Sequence, residues 1–233
     1  PFEIKKAIVF PFNKEMRVIS RYEDLLKFTI EDYYDVKYSG NVNKSIFNIE
    51  GVDHYKVVKD IDNLDWFEDF DTVILGHTGI LSEAIGRNFE TEIIDKCKEY
   101  RKKLFSCHDI RFNNISLEGL EYYCPHVDIH PYPEFLKMHV VGCPVLGIVG
   151  TGSCQGKFTI QLGIRRELIK RGYHVAQLGT EPTAQLFGMD CVYPMGHESS
   201  VYPKGFEAVL ELNYMMGYME NKNPDIILFG SQS

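Results

Sequence analysis

A glycine-rich segment with a single lysine carries the clearest chemistry in this sequence. It lies between an apolar run, Val145–Val149, and a stretch with helical character. Glycines let a backbone turn several N–H groups toward one point, and the positive end of a following helix adds to their field. The lysine supplies a mobile positive charge, so the pattern predicts a phosphate-binding P-loop. The predicted phosphate-binding residues are Gly150, Thr151, Gly152, Ser153, Cys154, Gln155, Gly156, Lys157, Phe158 and Thr159.

The loop lacks the usual ligands for magnesium. In nucleotide hydrolases a hydroxyl residue follows the lysine and holds Mg²⁺, and a nearby strand ends in an acid. Here Phe158 follows the lysine, Thr159 is displaced by one position, and the predicted strand Asp225–Phe229 is followed by Gly230. The sequence therefore favours anchoring of a phosphate group, as in acetyl-CoA or another acyl-CoA, over hydrolysis of ATP with Mg²⁺. No metal ligand is assigned.

Polar side chains after other predicted strands are candidates for substrate contact, because ligands of wound sheets bind outside the carboxyl ends of strands. Glu181 and His197 are the candidate acceptors of a proton from an amine, since carboxylates and imidazoles act as general bases. The alternative is a polar loop in which a threonine caps the next helix and the histidine is merely solvated. The candidate substrate-binding residues are Thr180, Thr183, Gln185 and His108.

Three further side-chain groups have a functional and a structural interpretation. Cys154, near a helix N-terminus, is a candidate nucleophile, or it lends only its backbone N–H. Cys124, His126 and His130 have a loosely zinc-like spacing, but the prolines around them make a shared geometry unpredictable. His77 follows an apolar strand and either lines a cleft or belongs to the core.

The elements that position these residues alternate between strands and helices, which favours parallel sheets. In the first half we expect strands at 6–11, 71–76 and 105–110, Ser82 as a helix N-cap, and a helix at 90–104. In the second half we expect a buried strand at 145–149, a helix at 157–171 that ends at Gly172, a strand at 175–178, a helix at 206–219 and a strand at 225–229.

The chain is expected to form two α/β domains. A proline-rich run at 124–144 cannot be a helix interior and reads as the crossing between them. The predicted domains are a Rossmann-like one at 1–135 and a P-loop one at 136–233, with parallel sheets and a ligand cleft between the domains. A sheet strand is an unusual end for a chain, so we expect further sequence beyond residue 233.

Composition excludes several classes of protein. A formal net charge of −8 argues against a broad nucleic-acid surface. No apolar run approaches the roughly 20 residues of a membrane span, and no signal peptide is recognised. The 6 cysteines are widely spaced without a CxxC pair, which favours reduced thiols and a cytoplasmic location. The expected partners are a small-molecule or peptide substrate, with homo-oligomerisation left open.

Two resemblances extend this interpretation. The Gly-x5-Gly-Lys spacing, one residue longer than the common form, resembles the dethiobiotin-synthetase branch of P-loop proteins. The run from GIVGTGSCQGKFT through VAQLGTEPTAQLFGMDCVYPMG resembles a little-characterised bacterial family that is often labelled as NAD-dependent epimerases. That family has a Rossmann-like and a P-loop domain, and its best-understood members look like D-glutamate N-acetyltransferases. This chain departs from it at Gly230, where members commonly carry Glu.

What the resemblance implies is an N-acyltransferase that acts on an amino acid or a peptide. The chain also looks like a clostridial branch associated with peptide maturation. Two rivals remain at this point. One is an ATP-dependent ligase or kinase of the dethiobiotin-synthetase type, and the other is a non-catalytic nucleotide-binding partner in a peptide-modifying complex.

Overall fold

The chain divides into two compact α/β units. The computed structural model of the protein describes residues 2–51, 53–110, 115–127, 137–152, 155–194 and 205–231. The units comprise residues 1–124 and 125–233. The predicted boundary between the two domains, at residues 135 and 136, lies outside the described residues. Every strand pair within the two sheets is parallel, so the predicted α/β class with parallel sheets is confirmed.

The N-terminal unit has the strand order of a Rossmann-like sheet. Its strands are β1 (Lys6–Phe10), β2 (Thr29–Asp35), β3 (Lys59–Asp60), β4 (Thr72–Leu75), β5 (Lys103–Ser106) and β6 (Tyr122–Tyr123), and its α-helices are α1 (Arg17–Arg21), α2 (Ile46–Glu50), α3 (Gly79–Ile85) and α4 (Phe89–Glu99). The sheet order is β3-β2-β1-β4-β5-β6. Successive strands are added on one side of β1 as far as β3 and on the other side from β4 onward, so the strand order reverses between β1 and β4. In such sheets the ligand crevice lies outside the carboxyl ends of the strands at the reversal.

The first-half predictions were correct in the kind of element and partly wrong in their bounds. Helix α4 begins after Asn88, whose side chain accepts a hydrogen bond from the Thr91 N–H at 3.1 Å. It ends at Glu99, not at Leu104, because Leu104 is fully buried in β5 opposite Val73 of β4. Sheet pairing and burial therefore overrode helical periodicity over the last residues of the predicted helix.

Ser82 is not a helix N-cap. Helix α3 begins at Gly79 after Thr78, so Ser82 lies inside the helix. Its hydroxyl instead accepts a hydrogen bond from the Phe89 N–H at 3.4 Å and thereby links α3 to the first turn of α4. A serine that bonds a backbone group in a neighbouring element resembles an N-cap in sequence, which explains the error.

The C-terminal unit has the elements that the sequence predicts and one further short strand, β9. They are β7 (Val145–Ile148), α5 (Lys157–Lys170), β8 (Val175–Gly179), β9 (Cys191–Val192), α6 (Phe206–Glu220) and β10 (Ile226–Gly230). The sheet order is β7-β10-β8-β9. Gly172 follows the end of α5 with a φ of 84°, and its N–H donates to the Ile169 carbonyl at 2.9 Å, as expected of a glycine that closes a helix. The core of this unit is formed by Ala176, Leu178, Cys191, Tyr193, Met215, Met219 and Ile227.

The prediction that 145–149 is a buried strand was wrong in one respect. The strand forms, but Val145 is 47% exposed and Leu146 is 40% exposed. In the described part of the sheet β7 pairs only with β10, so one of its edges has no neighbouring strand there. An apolar run predicts a strand, but its burial depends on how many neighbours the sheet provides.

Candidate functional sites

The glycine-rich loop connects the end of β7 to the start of α5. We call residues 150–157 the anion loop. Gly156 has a φ of 81°, a left-handed conformation that suits glycine, and it stands at the N-cap of α5 without a side-chain cap. Glycine at the N-cap offers no side-chain oxygen of its own to the first turn of this 14-residue helix. The positive end of a helix favours an anion.

Lys157 lies back over the anion loop. Its ammonium group donates a hydrogen bond to the Gly152 carbonyl at 2.7 Å. A Cβ atom on Gly150 would come within 2.9 Å of the Lys157 Cδ atom, so the absence of a side chain at Gly150 leaves room for the lysine. The positive charge is thus held next to the loop backbone, where a phosphate group would need it.

Gln155 occupies the inner side of the same loop. Its Oε1 atom accepts a hydrogen bond from the Gly152 N–H at 3.2 Å, and its Nε2 atom donates to the Thr151 hydroxyl at 3.2 Å. A neutral amide oxygen therefore satisfies a loop N–H group that would otherwise face a phosphate oxygen. An anion can displace it at modest cost, because the side chain is exposed and free to rotate away.

Residues 158 and 230, the two positions that would complete a magnesium site, are surrounded by closely packed side chains. The Phe158 ring lies edge-on to the buried Phe187 ring, with 6.1 Å between the ring centroids. At Gly230 an added Cβ atom would lie 2.5 Å from Oε1 of Gln161, a residue that is 1% exposed. The Gln161 Oε1 atom in turn accepts a hydrogen bond from Gln177 Nε2 at 3.3 Å. The space that an acidic side chain would need at residue 230 is thus filled by a glutamine from α5.

The segment after β8 holds a second group of predicted residues. Thr180 and Thr183 are buried, whereas Glu181 is half-buried and Gln185 is exposed. Glu181 precedes a 3₁₀ helix, Pro182–Phe187, and its carbonyl accepts a hydrogen bond from the Ala184 N–H at 2.9 Å. Both threonines were predicted to contact a substrate. Their burial favours a structural role in this turn instead. Glu181 and Gln185 are the two whose side chains are not fully buried.

The anion loop and the segment after β8 lie at the same edge of the sheet. Strands β7 and β8 are parallel and both pair with β10, so their carboxyl ends are separated by one strand. Two strand spacings put them about 10 Å apart. Ser231, which follows β10, lies between them, and its N–H donates to the Ile148 carbonyl at 3.0 Å. A ligand anchored on the loop can therefore extend toward Glu181.

Four of the predicted residues lie outside the part of the chain that the structure describes. They are Ser153 and Cys154 of the loop, His197 and His130. Within the described ranges, no group of three His, Cys, Asp or Glu side chains is arranged to hold a metal ion. In the same ranges, no helix combines the length and apolar character needed to cross a bilayer.

Two buried cysteines, Cys97 and Cys191, are poor nucleophiles. Burial raises the pKa of the Cys97 thiol to about 12, and that of the Cys191 thiol to about 12 as well. A thiol with such a pKa is almost entirely protonated near neutrality. Cys97, Cys107, Cys124, Cys143 and Cys191 are all free thiols.

A second candidate site lies in the N-terminal unit, where the structure brings together His77 and His108. His77 follows β4 and His108 follows β5, and their rings stack with 4.8 Å between centroids and 21° between planes. We call these two residues the histidine pair. His108 is 7% exposed, and its Nε2 atom lies 3.4 Å from a carboxylate oxygen of Glu90 in α4. His77 Nε2 lies 3.8 Å from a carboxylate oxygen of Glu15.

Sequence reasoning suggested each histidine separately but missed Glu90, Asn13 and the pairing itself. The Asn13 amide group donates to the His77 carbonyl at 3.3 Å and so ties the loop after β1 to the loop after β4. The available signal was that each histidine follows an apolar strand. Strand order decides that β4 and β5 are neighbours, and the sequence pattern does not specify that order.

Tyr193, after β9, was also missed. It is 1% exposed, and its hydroxyl has no hydrogen-bond partner among the described residues. Burial raises the pKa of its phenol, and the nearby Glu211 carboxylate in α6 raises it further. Tyr193 is therefore a neutral hydrogen-bond donor at the same edge of the sheet as the anion loop.

The fold is similar to that of a solved protein. A DUF1611 family protein from Anabaena variabilis superimposes on this chain with a TM-score of 0.66 at 16% sequence identity. The alignment covers 99% of this chain and 67% of that one. At this identity the similarity concerns the fold alone, and it agrees with the predicted likeness to a poorly characterised bacterial family. No protein-family model and no curated protein matches the sequence.

Proposed function

We propose that the anion loop binds the phosphate groups of an acyl-CoA donor, such as acetyl-CoA. The chain then acts as an N-acyltransferase on the amine of an amino acid or peptide, in a peptide-maturation setting. The observation that carries the proposal is Lys157, whose ammonium group lies 2.7 Å from the Gly152 carbonyl at the start of α5. A lysine at the end of a glycine-rich loop and a helix N-terminus together make a compact anion site.

Two contacts favour a CoA-type donor over ATP with Mg²⁺. Phe158 packs on Phe187, and Gln161 fills the space beside Gly230. A Mg²⁺ ion would need a hydroxyl at the first position and a carboxylate at the second. A CoA pyrophosphate needs only hydrogen-bond donors and positive charge. Glu181, about two strand spacings from the loop, is the proposed acceptor of the proton that the amine loses.

A calorimetric titration of the full chain tests this proposal. We expect acetyl-CoA and CoA to bind with similar affinity, because both carry the same phosphates, and ATP with Mg²⁺ to bind more weakly. Inorganic phosphate should compete with both. Tight binding of ATP·Mg²⁺ without affinity for CoA would refute the acyl-donor assignment and support the ligase or kinase rival. Binding without turnover of any amino acid or peptide would support the non-catalytic partner.

Changing Gln155 to Glu should weaken CoA binding. The Gln155 Oε1 atom accepts from the Gly152 N–H, so a carboxylate there places a negative charge at the phosphate position. Repulsion of about 1 to 2 kcal/mol in a partly exposed site lowers affinity by roughly tenfold. The matched control is Gln155→Ala, which removes the competing oxygen without adding charge and should bind CoA at least as well as the original chain. Calorimetry of both variants decides, and equal affinities would contradict the placement of the phosphate.

Restoring an acid with Gly230→Glu should not create a magnesium-dependent ATPase. The new side chain collides with Gln161, so we expect a loss of about 1 to 3 kcal/mol in the free energy of unfolding. Urea denaturation and a phosphate-release assay with Mg²⁺ measure the two effects. The double variant with Gln161→Ala makes room and should recover part of the stability. Mg²⁺-dependent ATP hydrolysis by either variant would count against the CoA assignment.

A further inference from the structure

The histidine pair lies where the fold of the N-terminal unit predicts a ligand. The strand order reverses between β1 and β4, and the loops after β1, β4 and β5 meet at the carboxyl edge of that sheet. His77 comes from the loop after β4 and His108 from the loop after β5, while Asn13 from the loop after β1 holds the His77 carbonyl. Three neighbouring loops thus converge on two imidazole rings at the position of a ligand crevice.

The two ring nitrogens of His108 differ in their hydrogen bonding. Its Nε2 atom faces the Glu90 carboxylate at 3.4 Å, which requires the proton to be on Nε2. In the neutral imidazole the Nδ1 atom then carries a lone pair. The His108 residue is more than nine-tenths buried. Its Nδ1 atom is also buried and has no hydrogen-bond partner among the described residues. Buried polar atoms are nearly always hydrogen-bonded, so an unsatisfied acceptor at a ligand crevice indicates that a donor group belongs there.

The charges next to the pair select the kind of donor. In the described residues both imidazole rings face glutamates, His77 toward Glu15 at 3.8 Å and His108 toward Glu90 at 3.4 Å. Two carboxylates disfavour an anionic ligand and favour a cationic one. An ammonium group is a ligand that is cationic and also donates hydrogen bonds to an imidazole nitrogen.

We propose that the histidine pair binds the primary amine of a ligand and that His108 Nδ1 removes a proton from it. In this step one N–H bond of the ammonium group breaks, an Nδ1–H bond forms, and the neutral amine keeps the electron pair. The resulting imidazolium is stabilised by the Glu90 carboxylate, which makes Glu90 a positioning residue. The stacked ring of His77 holds the His108 ring in its plane. Binding of an amine at this site does not depend on the proposed function of the anion loop.

The experiment uses the full chain labelled with ¹⁵N in its histidines. Glycinamide is the probe, because it offers a primary amine without a carboxylate, and N-acetylglycinamide is the matched probe without the basic amine. Addition of glycinamide should shift the Nδ1 resonance of His108, and N-acetylglycinamide should not shift it. The same titration should be unaffected by Lys157→Ala, so failure of the anion-loop proposal and failure of this one are distinguishable.

Two variants test the roles of the residues. Glu90→Gln keeps the shape of the site but removes the charge, and we expect glycinamide to bind about tenfold more weakly. Glu99→Gln, at the exposed far end of the same helix, is the matched control and should bind like the original chain. His108→Phe should abolish the amine-specific binding, and if it fails to fold, Glu90→Gln decides. Equal shifts with both probes, no shift with glycinamide, or equal losses in Glu90→Gln and Glu99→Gln would overturn the proposal.

Discussion

Replacing Lys157 by alanine is expected to lower the affinity for CoA by about 10- to 100-fold, as measured by calorimetry. The reason is the loss of a charge-assisted hydrogen bond to phosphate, which contributes about 1.5 to 3 kcal/mol. In the structure this ammonium group contacts the Gly152 carbonyl at 2.7 Å, so it is already beside the loop before any ligand binds. Little rearrangement is therefore needed to exchange the carbonyl for a phosphate oxygen.

The matched control for this change is Lys170→Ala in the last turn of the same helix. The Lys170 side chain is 60% exposed and faces Glu167 at 3.7 Å, a surface pair that contributes little. We expect this variant to bind CoA like the original chain and both variants to unfold at similar urea concentrations. If Lys157→Ala bound CoA normally, or if Lys170→Ala lost as much affinity, the anion loop would not be the donor site.

Replacing Gly179 by alanine should cause a large loss of stability. A Cβ atom at this position would collide with the Ala184 Cβ atom and lie 2.5 Å from the Met189 sulfur. Both residues are buried, and the alanine contact cannot be relieved by rotating a side chain. We expect the free energy of unfolding to fall by about 1 to 3 kcal/mol or more, as overpacking of a core does.

The control for this change is Gly147→Ala in β7, where an added Cβ atom meets nothing within 4 Å. That variant should be close to neutral, because both glycines lie in strands of one sheet and only the space around them differs. Urea denaturation of the two variants measures the contrast. Because Gly179 directly precedes Thr180 and Glu181, Gly179→Ala should also reduce turnover under conditions where the chain remains folded. Equal stability of the two variants would contradict the close packing of β8 against the 3₁₀ helix.

The strand and the helix on either side of the anion loop could be predicted from sequence because their spacing is local. Loop glycines, the lysine and the start of the helix occupy consecutive positions, so their spacing along the chain is also their arrangement in space. The strand β7 and the helix α5 were predicted for the same reason, since hydrophobic periodicity and a closing glycine act over a few residues. The sequence also shows directly that residue 158 has no hydroxyl group and that residue 230 is not an acid.

The histidine pair could be seen only in the folded chain. His77, Glu90 and His108 are far apart in sequence, and they meet because β4 and β5 are neighbours in the sheet and α4 connects them. Which strands become neighbours is decided by the packing of the whole sheet, to which every strand contributes. No single segment of the sequence contains that information.

What the sequence determined by itself was the succession of strand β7, glycine-rich loop and helix α5, because short-range spacing controls it. Tertiary structure alone decided that Gln161 fills the space beside Gly230, that β7 is exposed at Val145, and that His108 keeps an unsatisfied nitrogen beside Glu90. Each of these depends on which distant residues come into contact. Burial and hydrogen-bond satisfaction are properties of that packing, and the local pattern of residues does not specify them.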